Sequence, residues 1–197
     1  EQYLGAEAFR DGIRVYLQRH QYANAETTDL WDALEKSTEQ PVRTLMDSWI
    51  FQPGYPLITV EKHGRGVRLT QQIFRYLQDG SISDQRWYVP IFLRAGSKSG
   101  IIEQTLLLTE QERTVEFEES PEWVVVNAGG HGFYRVGYSH QLLDALKGSL
   151  DQLSSVEKFG LVNDTWAATL AGLVGPSDYL SLVDLMGDER DLNIWAT

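Results

Sequence analysis

Pro53-Gly54-Tyr55-Pro56-Leu57-Ile58-Thr59-Val60 is the stretch that decides how this chain is organised. Two prolines and a glycine within four residues cannot continue a helix, and the apolar run behind them has the make-up of a strand. Upstream of it, apolar residues recur at helical spacing. Downstream, to about Tyr138, they recur at strand spacing, and from there to the end the spacing is helical again. The fold class expected is α+β in three segments: helices over 1–52, a small antiparallel β-sandwich of about seven strands over 53–138, and a helical array over 139–197.

Working back from the boundary, Val42, Leu45, Met46 and Trp49 predict a helix that starts near Pro41, a residue suited to a first helical turn. Leu30, Trp31 and Leu34 predict a second, with N-caps offered by Thr27, Thr28 and Asp29. Leu4, Ala8, Phe9, Ile13, Tyr16 and Leu17 place a third on one stripe ending near Arg19. Working forward, Gly64-Arg65-Gly66 can close a hairpin into Val67 to Ile73. Further strands are expected at Trp87 to Arg94, Ile101 to Thr109, Arg113 to Phe117, Trp123 to Asn127 and Phe133 to Tyr138. Pro90 predicts an edge or a bulge, and Gln72 to Leu77 reads equally as short helix or strand. The last segment carries a stripe at Leu142, Leu143, Leu146 and Leu150. A longer one runs through Val156, Phe159, Leu161, Val162, Trp166, Leu170 and Leu173, with a helix start at Ser154 or Ser155. Gly175-Pro176 breaks the chain before Tyr179 to Met186 resume the pattern. The chain opens inside a helical pattern and stops in an unfinished array, so it is expected to be a piece of something larger.

Composition narrows the function classes. The 197 residues are 42% hydrophobic and carry a net charge of −11, enough apolar material for real cores and the wrong sign for a nucleic-acid surface. There is no cysteine, hence no disulfide and no thiolate metal ligand. No apolar run approaches the roughly 20 residues a bilayer span needs. Absent cysteine and high acidity favour a cytoplasmic location without fixing one.

The residues then carry a resemblance. Phe9-Arg10-Asp11-Gly12-Ile13-Arg14-Val15-Tyr16-Leu17, His20-Gln21-Tyr22-Ala23-Asn24-Ala25 and Asp29-Leu30-Trp31-Asp32-Ala33-Leu34-Glu35 resemble the end of the catalytic domain of aminopeptidase N-type zinc aminopeptidases, the gluzincins. Met46-Asp47-Ser48-Trp49 with Gly54-Tyr55-Pro56-Leu57-Ile58-Thr59-Val60 resembles that family's junction into its β-sandwich. Val126-Asn127, Gly132-Phe133-Tyr134-Arg135-Val136 and Tyr138 are similar to its last sandwich strand and exit into the C-terminal helical domain. The resemblance implies a parent that removes N-terminal residues from peptide substrates with a zinc ion. In that chemistry a His-Glu-x-x-His helix supplies two ligands and the glutamate that activates a zinc-bound water. That motif, the third ligand and the transition-state tyrosine have no counterpart here. No catalytic, substrate-binding or metal residue is therefore carried onto this sequence, zinc is expected in the parent alone, and the chain by itself is expected to be inactive.

Each tempting residue has a plain alternative. His20, His63, His131 and His140 are scattered. His20 is expected at a helix end facing a backbone carbonyl, and His131, within Gly129-Gly130-His131-Gly132, in a turn between strands. Arg135 is expected to pair with a carboxylate at the domain junction, with simple exposure to solvent as the alternative. Glu116, Glu118, Glu119 and Glu122 read as a solvated edge rather than a calcium site. The six tryptophans read as core rather than as a sugar-binding face. Asn163-Asp164-Thr165 fits a glycosylation pattern but falls within an expected helix.

Three readings follow. The first is the non-catalytic section of a zinc aminopeptidase, in which Pro53 to Pro56 and Asn127 to Tyr138 form joints about which the parent closes. The second is a stand-alone sandwich module that binds a partner or acts as a scaffold. The third is a metal-free enzyme, the weakest, because neither a Gly-x-Ser-x-Gly elbow nor a histidine-paired nucleophile occurs. Helix faces left open at the ends would favour truncation-driven self-association.

Overall fold

The computed structural model describes residues 1–77, 83–187 and 189–196. Three helices come first: α1 (Ala6–Arg19), α2 (Thr27–Thr38) and α3 (Val42–Ile50). Gly12 is what lets α1 lie close on α2, since a Cβ there would meet Leu34 Cδ2 at 2.8 Å and Leu34 Cα at 3.0 Å. The N-cap of α2 is Glu26 rather than Thr27 or Thr28. Its carboxylate accepts from the backbone of Asp29, whose own carboxylate takes the Glu26 N–H at 2.8 Å, a reciprocal capping box. The third helix starts near Pro41 as expected, with Pro41 at the N-cap position, one residue before the first turn.

Seven strands follow: β1 (Pro56–His63), β2 (Gly66–Ile73), β3 (Val89–Ser97), β4 (Gly100–Leu108), β5 (Glu112–Glu116), β6 (Trp123–Val126) and β7 (Arg135–Tyr138). They form two sheets, ordered β5-β2-β1-β7 and β4-β3-β6. The sheets are antiparallel-rich as expected, with one exception: β1 and β7 pair in parallel, Leu57 opposite Arg135 and Val60 opposite Tyr138. A parallel pair needs a long crossover, and the path from β1 through both sheets supplies it. Pro90 tolerates its strand because β6 pairs with β3 only from Leu93 to Gly96, leaving one side of Pro90 without a neighbouring strand. Gln72 and Ile73 end β2, and Phe74 to Leu77 leave as loop, so the ambiguous stretch is strand for its first two residues and helix nowhere.

The helices after the sandwich are α4 (His140–Lys147), α5 (Ser155–Leu170), α6 (Pro176–Asp184) and the short α7 (Leu192–Trp195). Ser154 caps α5 by accepting from the Glu157 N–H while the Glu157 carboxylate reaches back to the Ser154 N–H at 2.8 Å. Pro176 opens α6 at a position where its missing N–H costs nothing.

Two cores meet at β6. Ile58, Val60, Leu69, Ile91, Leu93, Val124 and Val126 fill the space between the sheets, while Trp123, Val125, Leu143, Leu146, Leu161, Val162 and Leu182 form a second core. Period-two alternation along one four-residue strand therefore serves both, and all four residues are buried. The long α5 stripe is only half inward: Leu161 and Val162 are buried, whereas Val156, Trp166, Leu170 and Leu173 are exposed. The tryptophans divide likewise, with Trp87 and Trp123 buried and Trp166 and Trp195 partly open to solvent, because the helix face turned from the sandwich is covered only in part, Trp166 by the Tyr179 ring 4.9 Å away. No helix among the described residues is long and apolar enough to cross a membrane.

Candidate functional site

The strongest polar constellation lies where α5 meets the sandwich. Two carboxylates seven residues apart, Glu157 and Asp164, share one face of α5, since seven residues make two turns. Each meets an arginine from a different sheet. Arg94 of β3 donates from Nε to Glu157 Oε1 at 3.0 Å and from Nη2 to Glu157 Oε2, with a further bond to the Gln152 carbonyl at 2.8 Å. Its guanidinium lies over the Trp123 ring, 5.0 Å from the centroid. Arg135 of β7 donates from Nη1 to Asp164 Oδ1 at 3.0 Å and to Asn163 Oδ1, while Asp164 Oδ2 accepts from the Val136 N–H at 3.0 Å. One helix is thereby fastened to both sheets.

The two carboxylates sit in different electrostatic settings. The Asp164 side chain is 13% exposed, and burial pushes its carboxyl up to about 6 against the opposing pull of Arg135 and the Val136 N–H. Burial also disfavours the Glu157 charge, but there the bonds from Arg94 and Ser154 prevail, and the carboxyl lies below its ordinary value. Beside Arg135 a cleft of about 420 Å³ opens, lined by Tyr55, Phe133, Phe159 and Asn163. The arrangement holds elements in place; it brings no nucleophile to a base.

The remaining candidates are dispersed. His20 Nδ1 lies 3.4 Å from the Asn24 carbonyl at the end of α1, and His63 Nδ1 lies 2.7 Å from Arg68 Nη2. His131 follows a 3₁₀ turn between β6 and β7 and meets Phe92 edge to face. His140 lies 3.7 Å from both Asp144 and Asp178. Glu116, Glu118 and Glu122 face solvent, and the Glu119 carboxylate accepts from the Ser99 hydroxyl at 2.7 Å. Asn163 of the glycosylation pattern is engaged by Arg135 within α5. The pairing of Arg135 with a carboxylate was legible in the sequence; Arg94 and the joint role of Glu157 were not. Their signal is the seven-residue spacing of carboxylates on a helix whose apolar stripe faces the sandwich.

Two family models match the sequence: "Peptidase family M1 domain" over residues 1–49 and "ERAP1-like C-terminal domain" over residues 123–197. Similar proteins include Tricorn protease-interacting factor F2 of Thermoplasma volcanium, 37% identical over 98% of this chain and 23% of its own length. The puromycin-sensitive aminopeptidase of Caenorhabditis elegans is 35% identical over 98% of this chain and 21% of its own. Aminopeptidase M1-D of Oryza sativa subsp. japonica is 34% identical over 98% of this chain and 23% of its own. The chain thus spans less than a quarter of the length of these relatives. M1 aminopeptidases are zinc enzymes; among the residues described here, no three of His, Asp and Glu gather where a metal could be held. With models of one enzyme group at both ends and its members similar along nearly the whole sequence, the chain belongs to the M1 aminopeptidase family.

Proposed function

We propose that this chain is the non-catalytic section of a zinc aminopeptidase acting on peptide N-termini. In this reading, residues 1–52 finish the catalytic domain, 53–138 form the sandwich and 139–197 begin the C-terminal helical domain. Zinc and peptide substrates belong to the longer protein. The section links these two larger parts and holds the sandwich at a fixed angle to the helical domain. The observation that carries this is the double fastening of α5 to both sheets through Arg94–Glu157 and Arg135–Asp164, over a strand, β6, whose two faces serve two cores.

Such a joint stabilises a fixed geometry, because a broken buried pair leaves an uncompensated charge. In the longer enzyme, Arg94→Gln and Arg135→Gln are expected to lower kcat/KM several-fold while zinc content and the pH profile of hydrolysis stay as in the parent. Unchanged kcat/KM in variants whose 127–138 segment becomes protease-sensitive would contradict a role in setting that angle.

A further inference from the structure

The Pro53–Pro56 segment marks a boundary in sequence, but the contacts around it place the mechanical boundary elsewhere. The end of α3 is clasped to the sandwich by side chains. Trp49 Nε1 donates to the Tyr88 carbonyl at 2.9 Å, and the Ser48 hydroxyl accepts from the Tyr88 N–H at 3.0 Å. Gln52 Nε2 donates to the Arg86 carbonyl at 2.7 Å, and Gln85 returns a bond to the Pro53 carbonyl at 3.0 Å. The Trp49 ring packs against the sandwich core, 6.4 Å from Trp87 and 6.3 Å from Phe133 between centroids. Three hydrogen bonds and an aromatic contact thus bridge the Pro/Gly segment, and a fourth bond lands on Pro53 itself.

The other end of α3 is held differently. Between α2 and α3 the ion pair Arg43–Asp32, at 2.8 Å, leaves both side chains about half exposed, and such pairs contribute little. The Arg43 N–H donates to the Glu35 carboxylate at 3.0 Å, and Tyr3 OH donates to Gln40 at 3.0 Å. Val42, Ala33 and Leu34 are buried, but none of them joins the core shared with the sandwich. The connection runs through Glu39, a non-glycine residue at φ 54°, in the left-handed region, then Gln40 and Pro41. A residue in that conformation carries local strain.

We propose that α3 moves with the sandwich as one body, and that the hinge between the first helices and the rest of the chain is Glu39–Gln40–Pro41 rather than Pro53–Pro56. This stands on the chain's own contacts and does not require the aminopeptidase reading. The Pro/Gly segment is then a braced coupling, and α1 with α2 is the part free to swing.

The absence of native cysteine makes the test direct. Spin labels on Lys36→Cys of α2 with Lys62→Cys of β1, and on Thr44→Cys of α3 with Lys62→Cys, occupy exposed sites. Pulsed electron-electron resonance on the 197-residue chain is expected to give a narrow distance distribution for the 44–62 pair and one about twofold broader for the 36–62 pair. Adding S48A with Q52A is expected to broaden the 44–62 distribution, and adding P53A with P56A to leave it narrow. A 44–62 distribution as broad as the 36–62 one overturns the proposal, and the unmodified pairs decide this even where the added variants fold poorly. Broadening by P53A with P56A alone overturns it as well.

Discussion

Asp164 shows how one residue can hold a joint and still be costly to keep charged. Its carboxyl, ordinarily near 3.8, is pushed up to about 6 by burial, so between those values the folded chain keeps a proton that the unfolded chain has lost. Its contribution to stability therefore falls as pH rises from about 4 to about 6, and Asp164→Asn should remove that slope from unfolding free energies measured by denaturant titration. Glu157 acts in the opposite sense. Its carboxyl lies below the ordinary value, so its contribution is present above the unfolded value and is lost as pH falls through the folded one. Asp164→Ala at pH 7 takes the paired carboxylate from Arg135, which keeps its bond to Asn163, and should cost about 3 kcal/mol, read as a lowered denaturation midpoint. At Glu39, the left-handed φ of 54° closes α2, a task glycine performs without a Cβ penalty. Glu39→Gly should accordingly raise stability by up to about 1 kcal/mol in thermal unfolding.

Among the elements, β2 and β3 each contain a residue whose environment is unusual for a strand. Gln71 is fully buried, yet every polar atom of its side chain is engaged. Nε2 donates to the Trp87 carbonyl at 3.1 Å and the Glu110 carbonyl at 2.8 Å, and Oε1 accepts from the Trp87 N–H at 2.9 Å. Gln71→Ala removes these bonds and leaves buried backbone groups unpaired, at a cost of about 3 kcal/mol. Alternation from Val67 and Leu69 points to an inward Gln71, so its place was legible. Its partners were not, because they come from loops 16 and 39 residues away. Gly96 lies under Trp123, where a Cβ would sit 2.3 Å from the indole. Gly96→Ala should force that ring aside and destabilise β6 by about 1–3 kcal/mol, seen as a blue or red shift of tryptophan emission with a lower midpoint. The strands themselves were readable from period two. The parallel β1–β7 pair was not, since local pattern carries no information about direction.

For the whole molecule, the three-part texture of the sequence matches the three-part architecture because periodicity reports which face is buried, and burial is what the sandwich and helices share. The half-exposed α5 stripe shows the limit of that rule: Leu161 and Trp166 follow the same helical period, but only the first meets the sandwich side of the molecule. The fastening of α5 was half readable, through Arg135, and half hidden, through Arg94, because ion pairs between elements 63 residues apart leave no local trace. In the proposed function, chemistry resides in the longer protein and geometry here. The measurement that tests it most directly is zinc content together with aminoacyl-amide hydrolysis, on the purified 197-residue chain beside a longer form carrying a His-Glu-x-x-His helix. Zinc and hydrolysis in the longer form alone are the predicted result. Bound zinc and turnover in the 197-residue chain would overturn the proposed function.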